Sequence, residues 1–352
     1  MVYFLLVFIP ISLGLDHFGA SPILVFVTAA LAVIPLTILI GEATENLSLR
    51  VGPTIGGLLN GTMGNVPEMI IAISALQKGL EPMVKASLTG TLLSNVLLVL
   101  GLSIVVGGTK FETLRYSVAF AGLSSKLLLL AAIGMIVPAL FHFTTKQEVF
   151  EISDGIAGIL FLAYLANLAF TLVTHKQLFA AKQAEGPIET GQEAWSLGRS
   201  LGTLAIAALG LAIESETLTG SIEPTAHRLG FTATFAGIFL LASVGNISEM
   251  INAVLFARRG KMDLTLAVTL GASTQVALLV APVLIFASHL MGRPMDLLFT
   301  EFEVISVAVA VMVAQTMTSD GESHWIEGVM MIAVYAILGV GFFFLPEHGH
   351  GG

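Results

Sequence analysis

Two glutamates stand where a membrane chain can least tolerate them. Glu68 lies in Gly64-Asn65-Val66-Pro67-Glu68-Met69-Ile70, and Glu249 in Gly245-Asn246-Ile247-Ser248-Glu249-Met250-Ile251. Each sits well inside an otherwise apolar stretch. A charge at the centre of a bilayer costs at least about 2.5–3.5 kcal/mol. Such a group must face a partner, an ion or a water-filled cavity. A carboxylate can also serve only to hold helices together, but two of them at matching places in two copies of one motif are hard to explain that way.

The surrounding residues weaken the helix at both places. Gly61, Gly64 and Pro67 do so in the first copy, Gly245 and Ser248 in the second. Unwound backbone inside a membrane is tolerated where it lines a cavity or binds an ion. Asn65 and Asn246 add amide oxygens about one turn before each glutamate. Gly56, Gly57 and Gly61 equally suit close helix packing. Further along, each copy becomes polar again, as Gly90-Thr91-Leu92-Leu93-Ser94-Asn95 and Gly271-Ala272-Ser273-Thr274-Gln275. Ser94, Asn95, Ser273 and Gln275 offer neutral oxygens for ligation or pore lining, or for hydrogen bonds between helices.

The donor set is all oxygen. There is no cysteine, and no histidine lies in either motif. That disfavours zinc and copper and favours a hard cation, with calcium suiting an irregular oxygen cage better than magnesium. Charge counting then suggests a mechanism. Two glutamates with one divalent cation are neutral, and so are two protonated glutamates. The empty ionised pair carries two negative charges, which are hard to occlude in a low dielectric. Two carboxylates held together also resist joint ionisation, which favours proton loading. Loaded forms can change access and the empty form cannot, which is the logic of exchange. The reading takes the cation as transported substrate, with no cofactor.

Other acids cluster at Glu42 and Glu45, and at Glu214, Glu216 and Glu223. The offset between the two motifs maps Glu42 onto Glu223, and with a gap Glu45 onto Glu216. Glu42, Glu45, Glu216 and Glu223 are candidate access-path residues, or ordinary solvated helix ends. Lys126 falls in the middle of an apolar stretch, where snorkelling or a carboxylate partner is expected.

These residues need elements that cross a membrane. The chain has 352 residues, 55% hydrophobic and 11% charged, with mean hydropathy +0.92. Soluble domains carry about 25% charged residues, so lipid is the expected solvent. The net charge of −9 comes with no basic cluster and no sign of nucleic-acid binding. Met1 runs into an apolar stretch without a basic leader or a clear cleavage site, and is read as the start of a retained helix.

Eleven stretches approach the roughly 20 apolar residues of a membrane helix. They run about 3–15, 22–48, 54–77, 86–107, 116–140, 150–174, 197–218, 229–257, 264–289, 300–317 and 325–345. Residue alternation typical of a membrane barrel is missing. The offset of 181 residues gives 12 identities in the 38 positions from Gly64 to Gly101. The copies start five stretches apart, on the third and the eighth, and five is odd, so they enter the membrane from opposite sides.

The expected fold class is an all-α polytopic membrane protein. It has a leading helix (1–21), a first inverted repeat of helices 2–6 (22–175), a cytoplasmic linker (176–196) and a second inverted repeat of helices 7–11 (197–352). Inverted repeats place a substrate site near the bilayer midplane. Nine lysines and arginines fall on one side and five on the other. The richer side is expected to be cytoplasmic, with the N-terminus inside and the C-terminus outside. The lack of long soluble domains suits a prokaryotic cell membrane. The tail with Glu347, His348 and His350 is expected to be disordered.

With both motifs in hand, the chain resembles the calcium/proton exchanger family of the calcium/cation antiporter superfamily. The resemblance rests on the paired Gly-Asn-x-x-Glu motifs, on Ser94-Asn95, on Ser273-Thr274-Gln275 and on Ile40-Gly41-Glu42-Ala43-Thr44-Glu45. It implies that Glu68 and Glu249 bind Ca2+ and trade it for H+, assisted by Asn65, Asn246, Ser94 and Gln275. It implies acids near both openings, and helices 1 and 6 moving over a fixed core. The sodium/calcium branch usually has Ser or Thr in place of Asn65 and Asn246, and Asn or Asp in place of Gln275, which favours protons as the counter-ion. The linker carries Glu185, Glu189 and Glu193 but lacks the dense acidic patch of some members. A passive channel and a membrane-embedded enzyme are the competing classes. The first needs a continuous pore, the second a nucleophile or metal motif that these stretches lack. Calcium against manganese, stoichiometry and oligomeric state are not written in the sequence.

Overall fold

The computed structural model describes residues 2–51, 53–144, 149–175 and 195–346. The linker from 176 to 194 and the tail from 347 onward lie outside the described residues.

The described chain is helical almost throughout. A short 3-10 turn leads into α1 (Phe8–His17), followed by α2 (Pro22–Ser48), α3 (Pro53–Met63), α4 (Val66–Gln77) and α5 (Glu81–Gly108). Then come α6 (Val118–Thr144), α7 (Val149–Thr174), α8 (Leu197–Leu229), α9 (Ala233–Gly245), α10 (Ile247–Arg258), α11 (Met262–Leu290), α12 (Glu301–Met317) and α13 (Trp325–Phe344). All eleven expected stretches fall on these segments. Among the described residues, seven helices are long and apolar enough to cross a membrane by themselves. α9 and α10 form one more candidate, bent by 62° at the break between them. The expected stretches 3–15, 54–77 and 300–317 fall on shorter helices.

Lipid-like surroundings are visible in the side chains that remain outside. Ile159, Leu162, Ile206, Leu209 and Ile337 are all more than 60% exposed. In water so much exposed apolar surface would drive association; in a bilayer it is the contact surface.

Local chemistry sets the helix ends. The Ser196 hydroxyl accepts from Arg199 N–H at the start of α8, and Thr232 accepts from Phe235 N–H at the start of α9. Thr300 and Glu303 form a reciprocal capping box at the start of α12. Gly79 and Gly260, 181 residues apart, end α4 and α10 with φ of +77° and +76°. Only glycine enters that region without a Cβ penalty, so this identity between the copies has a backbone cause.

Two apolar clusters organise the packing. The larger joins α5, α6, α7, α11, α12 and α13 around Leu97, Leu128, Tyr164, Leu284 and Val307. The smaller runs between α2 and α8, through Val33, Leu36, Ile40, Leu211 and Leu218, and reaches the bundle at Ile71, Met83 and Leu241. Counted over the eleven expected stretches, the long pair laid against the bundle is therefore the second and seventh, and not the first and sixth. A short antiparallel pairing, β1 (Leu114–Arg115) with β2 (Glu322–Ser323), links the connections before α6 and α13.

Candidate functional site

The two glutamates owe their positions to two equivalent helix breaks. At Asn65, between α3 and α4, φ and ψ are −97° and 9°; at Asn246, between α9 and α10, they are −92° and 3°. Both residues leave the helical region in the same direction and by similar amounts. Each following helix restarts one residue later, so Glu68 and Glu249 both occupy its third position. Pro67 is compatible with the first turn because no helical acceptor is available there for its missing N–H. The N-terminal end of each helix favours negative charge.

Side chains from the two copies meet at these breaks. Asn65 Nδ2 donates to Gln275 Oε1 at 2.5 Å, from the first copy to the second. Asn95 Nδ2 donates to Glu249 Oε2 at 2.9 Å. The Glu68 and Glu249 carboxyl groups lie within electrostatic reach of one another. Glu68 lies against Gly245, where an added Cβ would come within 3.5 Å of its Cγ. Tyr335 on α13, which did not stand out in the sequence, hydrogen-bonds the Ser94 side chain.

Close approach of α5 and α9 holds the copies together. A Cβ on Gly90 would lie 2.4 Å from the Ile238 carbonyl oxygen, and one on Gly237 would lie 2.6 Å from the Ala86 Cβ. Both contacts need glycine. Several π-helical turns interrupt the same region, at Ser94–Val99, Ala236–Leu241, Ala267–Gly271 and Val276–Val280. Such turns widen a helix locally and recur at functional sites.

Four buried oxygens here have no hydrogen-bond partner among the described residues: Asn65 Oδ1, Glu68 Oε2, Asn95 Oδ1 and Asn246 Oδ1. Buried polar atoms are normally satisfied, and a group of acceptors left over suits a cation. The described residues bring together no cluster of three or more His, Cys, Asp or Glu side chains; the oxygens are mainly amide and carboxylate. A small crevice is lined by Glu68, Ser87, Thr91, Gly245 and Val276.

Not every sequence candidate joins this group. Ser273 is buried, but its hydroxyl donates to the Thr269 carbonyl of its own helix. Glu42 accepts from the Tyr3 hydroxyl at 2.5 Å and lies near Glu45 on the flank of α2. Glu216 and Glu223 are exposed on α8. None of these four acids hydrogen-bonds Glu68 or Glu249 among the described contacts. Glu303 escaped notice, although Thr300-x-x-Glu303 before an apolar run is a capping signature. It is buried and accepts from Thr89 on α5 as well as from Thr300.

A helical bundle of membrane-spanning character thus carries paired helix breaks, each presenting a carboxylate beside amide oxygens, a donor set that suits a hard cation. The family described as "Sodium/calcium exchanger protein" matches residues 21–173 and 199–344. The "Ca(2+)/H(+) antiporter" of Aphanothece halophytica is 40% identical, with 97% of this chain and 96% of that protein covered. The "Ca(2+)/H(+) antiporter" of Synechocystis sp. is 38% identical over the same shares. The solved structure of native YfkE superposes with a TM-score of 0.85 at 32% identity, covering 98% of this chain and all of that one. The chain belongs to the sodium/calcium exchanger protein family, in its calcium/proton exchanger group.

Proposed function

We propose that this chain is a secondary antiporter that exchanges Ca2+, or another divalent cation, for H+ across a membrane. Glu68 and Glu249 bind either the cation or protons. Asn65, Asn246, Asn95 and Gln275 shape the site, and Ser94 and Ser273 support it from their helices. The observation that carries the reading is the pair of glutamates within electrostatic reach of each other, set on matched helix breaks among unpartnered acceptor oxygens. The names of the Aphanothece and Synechocystis relatives point the same way.

The exchange follows from charge. With the cation bound, both carboxylates are ionised and the site is neutral. With two protons bound it is neutral again. Removing both leaves repelling charges in a low dielectric, which opposes closure. In this reading the chain crosses the membrane eleven times, as a leading helix and two inverted five-helix repeats. The N-terminus is cytoplasmic. The α2–α8 pair moves over the larger bundle, and its separate apolar cluster supports that division. Glu42, Glu45, Glu216 and Glu223 lie along the approaches.

The test is calcium-45 uptake into proteoliposomes, comparing an imposed pH gradient with a sodium gradient. Uptake driven by the pH gradient is expected. Uptake driven only by sodium would assign a different counter-ion.

A further inference from the structure

Glu214 on α8 is fully buried, with Ser12 of α1 as its hydrogen-bonding partner. Ser12 is in turn the one buried residue of α1. Its Oγ lies 3.0 and 2.8 Å from the two Glu214 oxygens and 2.9 Å from the Ile9 carbonyl oxygen. A hydroxyl has one hydrogen to donate. Here three acceptor oxygens surround it.

Protonating Glu214 supplies the second hydrogen that these contacts lack. If Glu214 is ionised, its two oxygens and the Ile9 carbonyl compete for a single hydrogen. If Glu214 carries a proton, it donates to Ser12 Oγ, and Ser12 donates to the Ile9 carbonyl. Glu303, also buried, is placed differently. Glu303 receives three donors: Thr300 N–H at 2.9 Å, Thr300 Oγ1–H at 2.7 Å and Thr89 Oγ1–H at 3.2 Å.

Among the described contacts, no cationic side chain pairs with Glu214. The ionisable groups on the elements packed around it are Tyr3 before α1, Asp16 and His17 on α1, Glu42 and Glu45 on α2, Glu68 and the following Lys78 on the α4 side, and Arg199, Glu216, Glu223, His227 and Arg228 on α8 itself. None of them hydrogen-bonds Glu214 among the described contacts. His17 is exposed at the end of α1. Lys78 reaches α8 at Gly220, six residues further along, or about 9 Å at 1.5 Å per residue.

We propose that Glu214 is a neutral acid whose proton fastens α1 to α8, and that loss of this proton releases α1. α1 also packs along α2, with Ile9 against the α2–α8 cluster, and the 3-10 turn before it adds Leu6 and the Tyr3–Glu42 hydrogen bond, so the Ser12–Glu214 contact is the polar tie between α1 and α8. An ionised carboxylate with one shared hydroxyl donor is a poor buried group, and water reaches it only if α1 lifts away. The latch concerns α1 and α8 alone, so it stands or falls separately from exchange at Glu68 and Glu249.

The test uses the full chain in liposomes with saturating Ca2+. Infrared difference spectra of wild type minus Glu214→Gln at neutral pH are expected to show a deuterium-sensitive carbonyl band of a protonated carboxylic acid. Bands of an ionised carboxylate in its place would overturn the proposal. Hydrogen exchange of the α1 amides, corrected for intrinsic rates, reads the release. In wild type, protection should fall with rising pH, by about tenfold per unit beyond its onset. Glu214→Gln keeps the donor to Ser12 and should stay flat; equal curves for the two would contradict the latch. Should that variant fail to fold, Ser12→Ala supplies the second arm. It should exchange fast in α1 at every pH, and a curve like wild type would count against the proposal.

Discussion

Asn95 of the first copy donates to Glu249 of the second, Nδ2 to Oε2, at 2.9 Å. The bond ties a neutral amide to one of the two carboxylates on which the proposed exchange depends. It also leaves the Asn95 Oδ1 buried and unpartnered beside them. A hydrogen bond to a charged group contributes about 1.5–3 kcal/mol. Asn95→Leu should therefore weaken apparent Ca2+ affinity by about tenfold or more, since 1.4 kcal/mol is a factor of ten. Uptake as a function of Ca2+ concentration checks it. An unchanged curve would mean that Asn95 only packs.

Asn65 and Gln275 tie the same two copies, again with the first copy donating. A double-mutant cycle with Asn65→Ala and Gln275→Ala should show coupling of about 0.5–3 kcal/mol in Ca2+ affinity, the range for residues in contact. Additive effects would argue that the bond is incidental to the site.

Gly90 tests the closeness of α5 and α9. Gly90→Ala would set a methyl 2.4 Å from the Ile238 carbonyl oxygen. Overpacking of this kind costs about 1–3 kcal/mol, so the detergent-solubilised protein should unfold at a lower temperature. Gly122→Ala is the control, because nothing lies within 4 Å of its added Cβ. It should leave thermal unfolding nearly unchanged.

The pH dependence has a fixed sign in this account. Protons and Ca2+ compete for the same carboxylates, so lowering the pH should raise the Ca2+ concentration needed for half-maximal binding. Raising the pH should lower it until the pair is fully ionised. Calorimetric titration over a pH series measures this directly. Affinity that does not respond to pH would separate the proton from the Ca2+ site.

Much of this was legible in the sequence because the signals are physically obligatory. A glutamate inside an apolar stretch must be explained, and the repeat of Gly, Asn and Glu at a single offset marked both helix breaks. Other features were hidden for equally physical reasons. Which neutral side chain meets which carboxylate depends on helix rotation, so Ser273 could not be told from Asn95 before its hydroxyl was seen on the Thr269 carbonyl. Glu214 stood among solvated acids in the sequence because a helix end and a buried face look alike there. Its burial follows only from where α1 lies. Lys126 was open between snorkelling and pairing, and it is exposed on the side of α6.

The central claim is that protons and the divalent cation share one pair of carboxylates. It is tested most directly by counting protons released when Ca2+ binds to the purified, weakly buffered protein. The account predicts release of up to two protons per Ca2+ on the acid side. Glu68→Gln or Glu249→Gln should bind Ca2+ poorly and release correspondingly little. Tight Ca2+ binding with no proton release, or full release that survives both substitutions, would contradict it.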